Sequence, residues 1–179
     1  WERGIHLDMK GPDHALNVLG KLTNLYASAG RRAEAEAYLA GAAEAGRASR
    51  QSLAEATARH ALAEFYRDAG RPDRAIAEYE TVRAAYGAPE GVPLLEPQVA
   101  EELIKLYGKA RPRHDETVEE MGTALVGLYE KPSTWGGVRE SLVRLIKSYR
   151  SEREGQQAEY LTTQLVSLAD KPNAWRGVK

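Results

Sequence analysis

Apolar residues recur along this chain at three- and four-residue spacings, and short polar stretches interrupt them. The clearest case runs from Ala56 to Tyr86. Ala58, Leu62, Phe65 and Tyr66 fall on one helical face, and Ala75, Tyr79, Val82 and Tyr86 on another. Between them Gly70-Arg71-Pro72 predicts a reversal. Gly70 can take the positive φ that ends a helix, and Pro72 suits a first turn, where its missing N–H is no loss. Two amphipathic helices folded back on each other are therefore expected here.

The same spacing appears upstream. Leu22, Tyr26, Gly30, Ala35 and Leu39 stand at the offsets of Leu62, Tyr66, Gly70, Ala75 and Tyr79, a shift of 40 residues. Each residue type has a mechanical reason: a small residue lets the second helix approach the first, and larger ones fill the space beside the crossing. An internal period of this length indicates repeated supersecondary units. This pattern resembles the tetratricopeptide repeat. Gly11-Pro12-Asp13-His14 and the following His14 to Tyr26, with Asn24, are similar to the longer-period repeats of kinesin light chains. The resemblance implies an all-α fold, a right-handed superhelical solenoid of antiparallel helix pairs, that binds protein partners.

Later pairs are looser. Ala33 to Ala45 predicts a helix ended by Gly46, and Arg47 to Arg50 a basic connector; the next helix is expected from Ser52 to Asp68. Residues 87–97 hold three prolines and two glycines and read as a loop whose Leu94 and Leu95 tuck against the helices. A third pair opens at Pro97 with Val99, Leu103, Leu106 and Tyr107, and continues from a cap at Asp115 through Val118, Met121, Leu125 and Leu128. A fourth carries Leu142, Leu145, Ile146 and Tyr149, a turn ending at Gly155, then Ala158, Leu161, Leu165 and Leu168. Tyrosines 26, 66, 107 and 149 thus mark units 40, 41 and 42 residues apart. The expected repeats are 13–46, 51–87, 97–130 and 133–170 of one solenoid.

A second echo links Lys131-Pro-Ser-Thr-Trp135-Gly-Gly-Val138 to Lys171-Pro-Asn-Ala-Trp175-Arg-Gly-Val178, again 40 residues on. Proline stops one helix, Ser133 or Asn173 caps the next, and Trp stands in its first turn. The tryptophans read as inter-repeat packing groups, with partner binding as the alternative. Residues 173–179 look like the opening of a further repeat, so the chain reads as a fragment of a longer array. Trp1 and Trp175 would then mark uncapped ends able to self-associate.

Charge and composition narrow the function. Lys and Arg total 25 against 26 Asp and Glu, a net charge of −1, which gives no general attraction to nucleic acid or anionic membrane. The chain has no cysteine, so disulfides, thiolate metal sites and cysteine nucleophiles are excluded. No run is long and apolar enough to span a bilayer, and a cytoplasmic location is expected. Histidines 6, 14, 60 and 114 are scattered. His6, Asp8, Asp13 and His14 lie near one another in sequence but read as a solvated loop rather than a metal site. No phosphate-binding loop, nucleophile elbow or dinucleotide fingerprint is present, so no catalytic residue, metal or cofactor is expected.

In tetratricopeptide solenoids the first helices of the pairs line a concave groove. By that resemblance, counting from each Tyr, the groove-facing residues are Asn17, Lys21, Asn24 and Ser28, then Thr57, His60, Glu64 and Arg67. Gln98, Glu101 and Lys105 follow, and then Glu140, Arg144 and Lys147. Asn17 and Asn24 lie two helical turns apart and share a face, where their amides can bond both N–H and C=O of an extended peptide. The family's chaperone-tail clamp is not reproduced. Gly20 replaces its first lysine and Ala61 its second asparagine, with Gln98 and Glu102 in place of the basic pair. The expected function is a protein-binding scaffold for an extended peptide. The alternatives are a regulatory segment of a larger enzyme, such as a kinase or protease, and a self-assembly module.

Overall fold

A computed structural model describes residues 12–85, 96–110, 115–130, 135–169 and 171, with side chains described from residue 18 onward apart from those of 115, 130, 135 and 136. Their regular structure is entirely helical: α1 (Pro12–Ser28), α2 (Arg32–Ala48), α3 (Ser52–Asp68), α4 (Pro72–Ala85), α5 (Glu96–Lys109), α6 (Asp115–Gly127) with a 3-10 turn at Leu128–Glu130, α7 (Trp135–Ser151) and α8 (Gly155–Ala169). The chain divides into two compact units, Trp1–Val92 and Pro93–Lys179. The His6 and Asp8 positions, Leu94, Leu95, His114, Trp1 and Trp175 lie outside the described residues, as do the side chains of Asp13, His14 and Asn17.

In the first unit the helices form two hairpins, α1–α2 and α3–α4, with α3 packed against α1, α2 and α4. Ala35 and Leu39 are 1% exposed and Ala75 and Tyr79 fully buried, so the equivalent positions of the two hairpins do the same job at the helix crossing. The reversals are alike too. Arg31 N–H donates to Tyr26 O at 2.8 Å around Gly30, which has φ 73°, and Arg71 N–H donates to Tyr66 O at 2.8 Å around Gly70, φ 71°. These bonds satisfy carbonyls that a helix end would otherwise leave unpaired.

Two other reversals use the same bond without glycine. Gln51 N–H donates to Gly46 O at 2.9 Å around Arg50, φ 55°, and Glu154 N–H to Tyr149 O at 2.8 Å around Arg153, φ 61°. This corrects one expectation: Gly46 does not end α2, which runs on to Ala48, whereas the turn before α8 gives way to helix at Gly155, as the spacing predicts. Gly46 serves the packing of the hairpins instead. A Cβ there would lie 2.6 Å from the backbone N of Glu55, so its lack of a side chain sets how closely α2 and α3 approach.

The second unit repeats the arrangement with α5–α6 and α7–α8, where α7 packs on α5 and α8 on α6. Leu103, Ile104, Leu125, Leu142, Leu145 and Leu161 are fully buried. Tyrosines fix the stacking. Tyr149 Oη donates to Ile104 O at 3.1 Å, in space that a Cβ on Gly108 would occupy. Tyr160 Oη donates to Glu119 O at 2.8 Å beside Gly122.

Candidate binding cleft

An open cleft of about 240 Å³ lies between the first helices of the two hairpins in the first unit. α1 contributes Gly20, Thr23, Asn24 and Ala27; α3 contributes Ala61, Glu64, Phe65, Arg67 and Asp68, and Arg32 stands at one end. The volume follows from small side chains. Nothing lies within 4 Å of where a Gly20 Cβ would be, and Ala61 opposite is buried at 3% exposure. Phe65, 6% exposed, supplies an apolar wall. Thr23 turns its hydroxyl inward, donating to Leu19 O at 2.8 Å.

The rim is polar and close to charge-balanced. Asn24 is exposed, Glu64 and Arg67 are half-buried, and Arg67 Nε donates to Asp68 Oδ1 at 2.9 Å. Of the residues expected to face a groove, Asn24, Glu64 and Arg67 come together at this cleft. Lys21 and Ser28 are exposed on α1 but do not line it. The side chain of Asn17 lies outside the described residues.

Thr57 and His60 are placed otherwise than expected: they are 1% and 4% exposed. Since α3 is covered by three other helices, little of its circumference is left for a groove. Thr57 Oγ1 donates to Leu53 O at 2.7 Å. His60 meets the Tyr79 ring edge-on at 5.4 Å between centroids, and its Nδ1 lies 3.9 Å from Glu64 Oε2. Both are core groups.

In the second unit two of the three expected groove cations, Lys105 and Arg144, are engaged within the protein. Glu101, 3% exposed rather than presented to solvent, is the hub. Arg144 reaches it from α7, with Nε 3.0 Å from each carboxylate oxygen and Nη2 2.7 Å from Oε2. Lys105 Nζ donates to Glu101 Oε1 at 2.8 Å and Glu102 Oε1 at 2.9 Å. The bonds to Glu101 hold the Arg144 guanidinium above its ordinary range. Burial alone would depress the Lys105 ammonium, but its bonds to the two glutamates outweigh this and raise it. Gln98, Glu140 and Lys147 are exposed.

A second ionic hub, not expected from the sequence, ties the hairpins of the first unit. Glu36 on α2 accepts from Tyr66 Oη at 3.1 Å, Arg71 Nη1 at 2.8 Å and Arg74 Nη1 at 2.9 Å. Burial pushes its pKa upward, yet the bonds from Tyr66 and Arg71, together with the charges of Arg71 and Arg74, leave it below the usual range.

Among the described residues no three His, Asp or Glu side chains converge as metal ligands would, and no helix is long and apolar enough to cross a membrane. No family model matches the chain, and no curated protein is significantly similar to it.

Proposed function

We propose that the chain is a non-catalytic, tetratricopeptide-like scaffold that binds an extended peptide of a protein partner in the α1–α3 cleft. The observation that carries this reading is the pairing of Gly20 with Ala61. Small residues face each other across the first helices of successive hairpins, leaving apolar space beside Phe65 under a rim that holds Asn24. A peptide can place an apolar side chain over Gly20 and Ala61 while the Asn24 amide bonds its backbone, offering a donor and an acceptor together. Glu64, Arg67, Arg32 and Asp68 mix charge at the rim, which favours partners bearing both signs over a uniformly acidic tail. The ionic engagement of Lys105 and Arg144 argues for a site on the first unit alone.

The test is selection of a displayed random-peptide library on the 179-residue chain, followed by calorimetric titration of the selected peptides. Gly20→Leu fills the cleft from an unobstructed position, so it should leave the melting temperature intact while weakening binding about tenfold or more, a loss of about 1.4 kcal/mol. Asn24→Ala should weaken binding of the same peptides. Wild-type affinity in both variants would rule out the cleft as the binding site.

A further inference from the structure

The charges along the walls of the α1–α3 cleft favour a particular pattern in the peptide, provided that this cleft is the peptide site proposed above. The α1 wall of Gly20, Thr23, Asn24 and Ala27 is uncharged, and the exposed Lys21 does not line the cleft. Apart from Arg32 at one end, every charge in the lining comes from α3. From Ala61, opposite Gly20, Glu64 and Asp68 follow three and seven residues on, the spacing that keeps all three on one helical face. Arg67 is turned along the helix toward Asp68, its Nε 2.9 Å from Oδ1. The first charge on α3 beyond the apolar floor is therefore the Glu64 carboxylate.

Glu64 is also the better placed of the two carboxylates. Its side chain is 37% exposed against 65% for Asp68, and a charge partly withdrawn from water attracts an incoming cation more strongly than a solvated one. His60 Nδ1 stands 3.9 Å from Glu64 Oε2, on the core side. A carboxylate has about four acceptor positions, so that neighbour leaves room for an ammonium or guanidinium arriving from the cleft.

Geometry sets the spacing within the peptide. With a rise of about 1.5 Å per residue, Glu64 lies about 4.5 Å and Asp68 about 10.5 Å beyond Ala61 along α3. In an extended chain alternate side chains face the same way, about 6.6 Å apart. With an apolar residue over Gly20 and Ala61, the side chain two positions away falls between the two carboxylates. The adjacent side chain faces out of the cleft, and one four positions away, at about 13 Å, overshoots Asp68. We infer that the cleft selects peptides carrying an apolar residue and a lysine or arginine two positions apart, with the basic head at Glu64. Glu64 is thus the residue that sets specificity, and Gly20 with Ala61 the seat of the anchor.

The experiment repeats the random-peptide selection on the wild-type chain, Glu64→Gln and Gly20→Leu, with a melting curve for each, and compares the residue frequencies of the bound peptides. Wild-type winners should be enriched in Lys or Arg two positions from an apolar residue. Glu64→Gln should lose that enrichment and keep the apolar anchor. In a winning peptide, replacing the basic residue by norleucine keeps the stem and removes the charge. It should weaken binding to the wild type about fivefold or more, and to Glu64→Gln less than about twofold. The norleucine exchange needs no variant of the protein, so it decides the matter even if Glu64→Gln fails to fold: a loss under about twofold on the wild type overturns the inference. An anchor that depends on Gly20, with no basic preference two positions away, overturns the inference and leaves the cleft as the binding site. Winners that bind Gly20→Leu as tightly as the wild type overturn both.

Discussion

The Glu101–Arg144 contact is the sharpest test of whether the second unit's charges are structural. Removing one partner of a buried ion pair costs about 3–5 kcal/mol, because a charge is stranded away from water. Exposed pairs contribute only about 0.2–1 kcal/mol. The Glu101 side chain is 5% exposed and that of Arg144 48%, so the two partners sit at opposite limits. Freed by Glu101→Gln, the guanidinium can rehydrate. Freed by Arg144→Met, the carboxylate keeps Lys105 as its neighbour but loses three close contacts. Arg144→Met should therefore cost about 2 kcal/mol and Glu101→Gln about 1, with a double-mutant coupling of about 1 kcal/mol. Urea denaturation gives the energies, and hydrogen exchange at α5 and α7 amides places them in the second unit. In 1 M salt the screening length falls to about 3 Å, so the part of the coupling that faces water should shrink. A neutral Arg144→Met, with coupling under about 0.3 kcal/mol, would refute the reasoning and return Arg144 to the pool of ligand-binding cations.

Other expectations follow from backbone geometry and titration. Gly46→Ala should destabilise by about 2 kcal/mol in thermal or urea melts, because overpacking against the Glu55 backbone exceeds the gain in helix propensity. Arg153→Gly should stabilise by about 0.5–1 kcal/mol, since it relieves a left-handed residue at a cost in unfolded-chain entropy. Glu36 has a depressed pKa, so its contribution is present above the ordinary glutamate range and is lost as pH falls through the folded-state value. Glu36→Gln should accordingly be less stable than wild type at pH 7, and the gap should close on acidification; a gap that widens below pH 4 would contradict the hub.

Much of the helical architecture was legible because apolar spacing and turn chemistry agree. Gly30 and Gly70 take the left-handed conformation that their places between two stripes require, and Ala35 and Ala75 are buried where a small residue was needed. The turn at Arg153 was not legible as such. Its signal is a non-glycine residue, and only the Glu154-to-Tyr149 bond reveals it. Gly46 misled for the opposite reason, since a glycine near a helix end reads as a stop even where it serves contact with the next hairpin.

The candidate site divided along similar lines. Counting from the tyrosines put Asn24, Glu64 and Arg67 on a shared face, which depends on local helical phase, and all three line the α1–α3 cleft. It misplaced Thr57, His60 and Glu101, whose burial depends on how many neighbours surround the helix. Arg144 and Glu101 are 43 residues apart, and no spacing rule pairs a basic with an acidic residue across that distance. Gly20 and Ala61 stood out in the sequence only as departures from a clamp. Across the α1–α3 cleft they account for the open space.

The most direct measurement is a nuclear magnetic resonance titration of the labelled chain with a library-selected peptide. Amide shifts are predicted to concentrate on α1 and α3 around Gly20, Asn24, Ala61 and Phe65, with Lys105 and Arg144 unmoved. Shifts centred on α5 and α7, with Gly20 and Ala61 silent, would contradict binding in the α1–α3 cleft.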